Sequence, residues 1–393
     1  MAKTLAGATA FTSAGAPTNT LQAVARLRLV LGLVALLGAI VFLEGTSWDI
    51  QWHTFIGRDR TLIPPHIMML GGVALSGLAG LFIVLIESWW VRRDKNVVPY
   101  TSGFAHIFAA PLGAYIVGYM ALLAAVAFPL DAYWHTLFGI DVAIWAPFHI
   151  MFVASMGIVA FGAIYMLMSA AHLAGRAGAP GRGIKLMATV GAALAVATVL
   201  SLFTLLLYDA FQNENMIDLG FIRIGLFPLL SGLLVAFTLV AAASALPWRW
   251  AATCVSGFYL LLAGIMAVFV QPATDWLLTV EHLQYREQPS FTSAIALEWL
   301  LTPVVVAILV DIIMRRAQHK QWSRRKQGIF LSLTALLSGA LPIMPIVPLL
   351  PLALMIEWGI AGSLISVLLG LVGAYLGTFF GRNVGEVLAS LER

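Results

Sequence analysis

The chain has 393 residues, 61% hydrophobic and only 10% charged, with a net charge of +4 and a mean hydropathy of +0.94. So little polar surface excludes a water-soluble globule and points to an all-α polytopic membrane protein. The small basic excess fits loop residues anchored on membrane lipid headgroups, and nucleic acid is not an expected partner.

Residues 1–22 are rich in Ala, Thr and Ser, lack the compact apolar core of a signal peptide, and read as a disordered cytoplasmic tail. About ten apolar runs follow, at approximately 27–46, 67–91, 103–128, 146–172, 185–208, 221–246, 250–270, 292–314, 328–347 and 353–381. Each is long enough to cross about 30 Å of hydrocarbon as a helix, the spanning form that satisfies its own backbone. Basic residues gather in alternate loops: Arg26 and Arg28, then Arg92, Arg93 and Lys95, then Arg176, Arg182 and Lys185, then Arg315 to Lys326. Lys and Arg are retained on the cytoplasmic side, so both termini are expected there, in a multi-pass protein of the cell membrane. Three regions result: the tail 1–22, a four-helix membrane domain 23–173, and a six-helix membrane domain 174–393.

The two turns on the other, non-cytoplasmic side of the four-helix domain carry a repeated pattern. Residues 48–68 read WDIQWHTFIGRDRTLIPPHIM and residues 130–151 read LDAYWHTLFGIDVAIWAPFHIM. Asp49, Trp52, His53, Thr54, Gly57 and Asp59 align with Asp131, Trp134, His135, Thr136, Gly139 and Asp141; with one extra residue in the second copy, Pro64 and His66 align with Pro147 and His149. The unit reads as a helical hairpin present twice.

Asp and His four apart lie on one face of a helical turn, and the second His arrives at the start of the next helix, just after a proline suited to a first helical position. Each hairpin can therefore converge one carboxylate and two imidazoles. An Asp-x3-His pair can also be a simple capping or ion-pair contact, but ionisable groups at membrane depth tend to mark function. Two His and one carboxylate suit zinc, copper(II) or iron(II) and leave coordination positions open.

The first stretch, with Asp49, Trp52-His53, Arg58-Asp59 and Pro64-Pro65-His66, resembles the metal-site segment of the C subunit of the copper membrane monooxygenases, the particulate methane and ammonia monooxygenases. The second, with His135-Thr136 and Ala146-Pro147-Phe148-His149, resembles the second site of that family, with Asp131 standing where the family usually has Asn. The resemblance covers roughly residues 44–160. It implies two neighbouring copper sites, one from Asp49, His53 and His66, the other from Asp131, His135 and His149, with the first set catalytic. Zinc or iron are the alternative metals. It also implies oxidation of a small apolar substrate with O2, and further monooxygenase-type subunits as partners; a homo-oligomer is compatible with it. Asp59 and Asp141 would orient imidazoles or pass protons, Trp52 and Trp134 would exclude water, and Arg58 would pair with a carboxylate or face the interface. The rival expectation is a transporter of metal or small solutes using the same ligands without redox turnover.

Beyond residue 174 no second pair of motifs occurs. TDWLLTVEHL could set Asp275 and His282 on one helical face with Glu281 beside them, as a third metal site or a proton path, though a solvated amphipathic loop helix is the simpler reading; Asp311 is spaced to pair with Arg315, the segment 341–358 with its four prolines suggests a turn or re-entrant loop, and Gly362, Gly370, Gly373 and Gly377 suggest close helix packing.

Overall fold

The computed structural model describes residues 18–57, 60–139, 145–212, 216–287, 289, 301–340 and 350–391. Among them are ten α-helices: α1 (Thr18–Phe55), α2 (Pro64–Arg93), α3 (Leu112–Phe138), α4 (Pro147–Arg176), α5 (Arg182–Gln212), α6 (Phe227–Ala245), α7 (Ala251–Glu281), α8 (Leu301–His319), α9 (Arg324–Ala340) and α10 (Leu350–Ser390). Two antiparallel hairpins of three-residue strands interrupt them: β1 (Ser102–Phe104) with β2 (Phe108–Ala110), and β3 (Met216–Asp218) with β4 (Arg223–Gly225). The chain is thus an all-α membrane-type protein. Eight helices, α1 to α7 and the Trp358–Ser390 part of α10, are long and apolar enough to cross a bilayer. The expected spans α8 and α9, at 19 and 17 residues with basic ends, do not reach that standard among the described residues.

Several boundaries differ from expectation for local reasons. The expected tail is helical from Thr18 onward. At its other end α1 runs on to Phe55 because no proline stops it, and Thr46 and Ser47 fold their hydroxyls back onto the carbonyls of Phe42 and Leu43, both at 2.9 Å. The extension places Asp49 and His53 inside the helix. The start expected for α3 is instead the β1–β2 hairpin, bracketed by Pro99 and Pro111. α4 continues three residues past the expected boundary at 173. α7 continues through Pro272 to Glu281, absorbing the expected loop helix. The proline segment 341–349 lies outside the described residues.

Two buried polar clamps fix the helices. Arg28, assigned by its charge to a loop, is 0% exposed within α1 and forms a bidentate pair with the equally buried Glu87 of α2, both bonds at 2.8 Å. Its remaining donors reach Ser169 of α4 at 2.5 Å and the Tyr100 carbonyl at 2.6 Å. Asp311 of α8 does not pair through its carboxylate with Arg315. It accepts from the Ala252 and Thr253 amides at 3.2 and 2.8 Å and from the Thr253 hydroxyl at 2.7 Å, capping the first turn of α7 from a neighbouring helix. Arg315 stacks instead on Trp250, 3.5 Å from the ring centre. The glycines of α10 do permit close packing: a methyl group at Gly373 or Gly377 would run into the α6 carbonyls of Leu229 or Leu233.

Candidate metal centre

Each triad is assembled by one helix end and the next helix start. α1 and α3 both stop at a glycine with positive φ, Gly57 at +67° and Gly139 at +86°, a conformation that side chains with a Cβ rarely adopt. The repeated glycine of the motif is therefore the residue that turns the chain out of the helix four residues after each first histidine. The chain re-enters helix at Pro64 and Pro147, where fixed φ and the missing N–H cost nothing. His66 and His149 consequently sit in the first turn of α2 and α4, facing back across the loop.

In the first triad, His53 Nε2 lies 3.4 Å and His66 Nε2 3.0 Å from Asp49 Oδ1. In the second, His135 Nε2 lies 3.4 Å from Asp131 Oδ2, and His149 Nε2 lies 3.2 Å from Asp131 Oδ1. Within each group the ligand atoms are all within 4.8 Å of one another. Metal bonds of about 2.1 Å place neighbouring donors about 3.0 Å apart at right angles and about 3.4 Å apart in a tetrahedron. The observed spacings span that range, so each group could hold one ion. Side chains of both triads are mostly shielded, 9–17% exposed in the first and 13–24% in the second.

The rings are oriented by backbone carbonyls. His66 Nδ1 lies 3.1 Å from the Thr61 carbonyl and His135 Nδ1 3.1 Å from that of Gly139. A carbonyl at Nδ1 favours the tautomer that leaves Nε2 as the lone-pair donor, and it is Nε2 that faces the carboxylate in both cases.

Phe128 of α3 meets the His66 ring edge to face at 5.7 Å and Phe152 of α4 at 6.2 Å. Phe128 thus links the first triad to Phe152, which lies one turn after His149 on α4. Trp52, next to His53 in sequence, is 2% exposed within the core, and Trp134, next to His135, packs on Phe138 and Phe148. Arg58, Asp59 and Asp141 lie outside the described residues.

The second half of the chain reaches both motif turns, which sequence reasoning missed. The Arg286 and Glu287 amides donate to the Phe55 carbonyl at 2.8 and 3.4 Å, and Arg60 pairs with Glu281, so the segment after α7 braces the α1–α2 turn. The α3–α4 turn is tied to α5 by the Trp145 indole, which donates to the Leu206 carbonyl at 2.7 Å. Among the described residues no third ligand group forms at TDWLLTVEHL: His282 is a left-handed cap with φ +54°, and Asp275 accepts from the Tyr285 hydroxyl at 2.6 Å. Burial, and then the bond to Asp275 and its charge, raise the Tyr285 phenol above the ordinary tyrosine range.

Comparison of the chain with protein-family models, with curated proteins and with solved structures returns no match.

Proposed function

We propose that the two triads bind one transition-metal ion each, that the ions are copper, and that the protein takes part in oxidising a small apolar substrate with O2 at the non-cytoplasmic face of the cell membrane. The observation that carries this reading is the pair of Asp/His/His groups with donor atoms at ligand spacing at the ends of membrane-spanning helices. The assignment to copper and to oxygenase chemistry rests on the motif order shared with the C subunit of the copper membrane monooxygenases, and partner subunits of that enzyme type belong to the same proposal.

Copper with three protein ligands would supply open coordination positions and a one-electron couple. The chain's own residues do the rest. Asp49 and Asp131 offset positive charge at each site; Thr61 and Gly139 hold His66 and His135 in the donor tautomer; Trp52, Phe128 and Phe152 keep water from the space between.

Metal content of the purified, detergent-solubilised protein tests the proposal, with His53→Ala and His135→Ala alongside and electron paramagnetic resonance on the same samples. Two copper equivalents, with each variant losing one, are expected. No stoichiometric metal after purification with copper and zinc present would overturn it. Labile metal that crosses vesicle membranes would replace the oxidase with a transporter.

A further inference from the structure

Glu44 lies inside the span of α1, 5% exposed, and neither of its carboxylate oxygens has a hydrogen-bond partner among the described residues. One turn further on, Trp48 is 6% exposed and its indole N–H has none either. Glu44, Trp48, Gln51 and Phe55 recur at helical spacing and so share one face of α1, distinct from the face of Asp49 and His53. That face meets α7: Ser47 Oγ is 2.8 Å from Met266 Sδ, Trp48 packs edge-on against Phe269 at 5.6 Å, and Gln51 Nε2 donates to Gln271 Oε1 at 2.7 Å.

From Gln51 to the surface the seam is continuously hydrogen-bonded. The Thr274 hydroxyl donates to Gln51 Oε1 at 2.5 Å, and Gln271 Nε2 donates to the Tyr285 hydroxyl at 2.7 Å and to Asp275 at 3.1 Å. Tyr285 donates in turn to Asp275, which is exposed. Gln51 and Thr274 are 1% and 0% exposed, so the string runs from a solvated carboxylate into the membrane-spanning core. Glu44 lies about 10 Å further along the helix axis, at 1.5 Å per residue, with the Trp48 indole between. Buried polar atoms lacking protein partners are where ordered water collects, and a carboxylate at membrane depth characteristically serves ion or proton movement.

We propose that the α1–α7 seam is a hydrated proton path, with Asp275 and Tyr285 at its surface mouth, Gln51, Gln271 and Thr274 aligning water, and Glu44 as the proton-binding terminus within the membrane. A proton taken from solvent at Asp275 moves through water to Glu44, and the carboxyl releases one by the reverse route, so charge balances over each exchange. An ionised carboxylate with no hydrogen-bond partner among the described residues is costly at this depth, so the proposed path has Glu44 carry the proton at rest. The path stands on the α1–α7 contacts alone and does not depend on the triads holding metal.

Infrared spectroscopy of the metal-free, full-length protein in lipid nanodiscs tests it. The wild-type spectrum should contain a protonated-carboxyl carbonyl band that Glu44→Gln removes, and transfer to heavy water should shift that band rapidly. In Gln51→Leu and Thr274→Val the band should persist while its exchange slows by about tenfold, the factor for losing one hydrogen-bonded step of ordinary strength. Thr274→Val is nearly isosteric and keeps the test available if Gln51→Leu does not fold. A spectrum unchanged by Glu44→Gln overturns the proton-binding terminus; exchange equally fast in a folded seam variant overturns the path. Metal stoichiometry of Glu44→Gln, expected to equal wild type, separates this result from the fate of the triads.

Discussion

Replacing Arg28 with Ala removes the cation of a pair whose side chains are both 0% exposed. Glu87 then loses both of its 2.8 Å bonds, and Ser169 and the Tyr100 carbonyl each lose a donor. Hydrogen bonds to charged groups contribute about 1.5–3 kcal/mol each, but the deciding quantity is the loss of the guanidinium from a buried carboxylate, and breaking a buried pair costs about 3–5 kcal/mol. Arg28→Ala should therefore destabilise the folded protein by about 3–5 kcal/mol, measured by denaturant titration in mixed micelles with tryptophan fluorescence. Arg28→Met combined with Glu87→Leu removes both charges and should recover most of that loss. A cost for Arg28→Ala below about 1 kcal/mol, the range of an exposed pair, would refute the argument. So would a double variant whose cost equals the sum of its parts, because coupled partners cannot be additive.

Gly139→Ala should strain a backbone held at φ +86° by about 1–3 kcal/mol and displace the carbonyl that orients His135, lowering metal affinity at the second triad while the first keeps its ion; site-resolved metal content checks this. Asp311→Ala strips three hydrogen bonds from the first turn of α7 and should cost about 2 kcal/mol by the same denaturation assay, with Asp311→Asn intermediate. The wild-type minus Tyr285→Phe ultraviolet titration should place Tyr285 ionisation above the ordinary tyrosine value of about 10. Its folded-state pKa is raised, so its contribution to stability is complete below the unfolded value and is lost as pH rises through the folded one; Asp275→Asn should bring the titration down.

The triads were legible because their ligands are local. Asp49 and His53 share a helical face by spacing alone, Pro64 and Pro147 announce the next helix, and Gly57 and Gly139 mark where each helix must turn. The membrane class followed from composition in the same direct way. The pairings that fix the bundle were not legible. Arg28 with Glu87, Asp311 with Thr253, and Arg286 with Phe55 join residues dozens to hundreds of positions apart, which leaves no periodic trace. Arg28 misled because a basic residue at the edge of an apolar run obeys the loop-charge rule on paper, while here a carboxylate on α2 draws it inside. Glu44 escaped notice because its significance lies in the α7 side chains opposite, not in its own neighbours.

The braces on the two motif turns imply an order of completion during synthesis. The second turn, though encoded later, finds its anchor Leu206 within roughly 60 residues, a matter of about 3–12 s at typical elongation rates. The first turn waits for Glu281 and Arg286, more than roughly 220 residues downstream and about 10–50 s later. The earlier-made turn is thus the later one braced, so if the first triad takes up a metal as proposed, uptake could precede the closing of its turn.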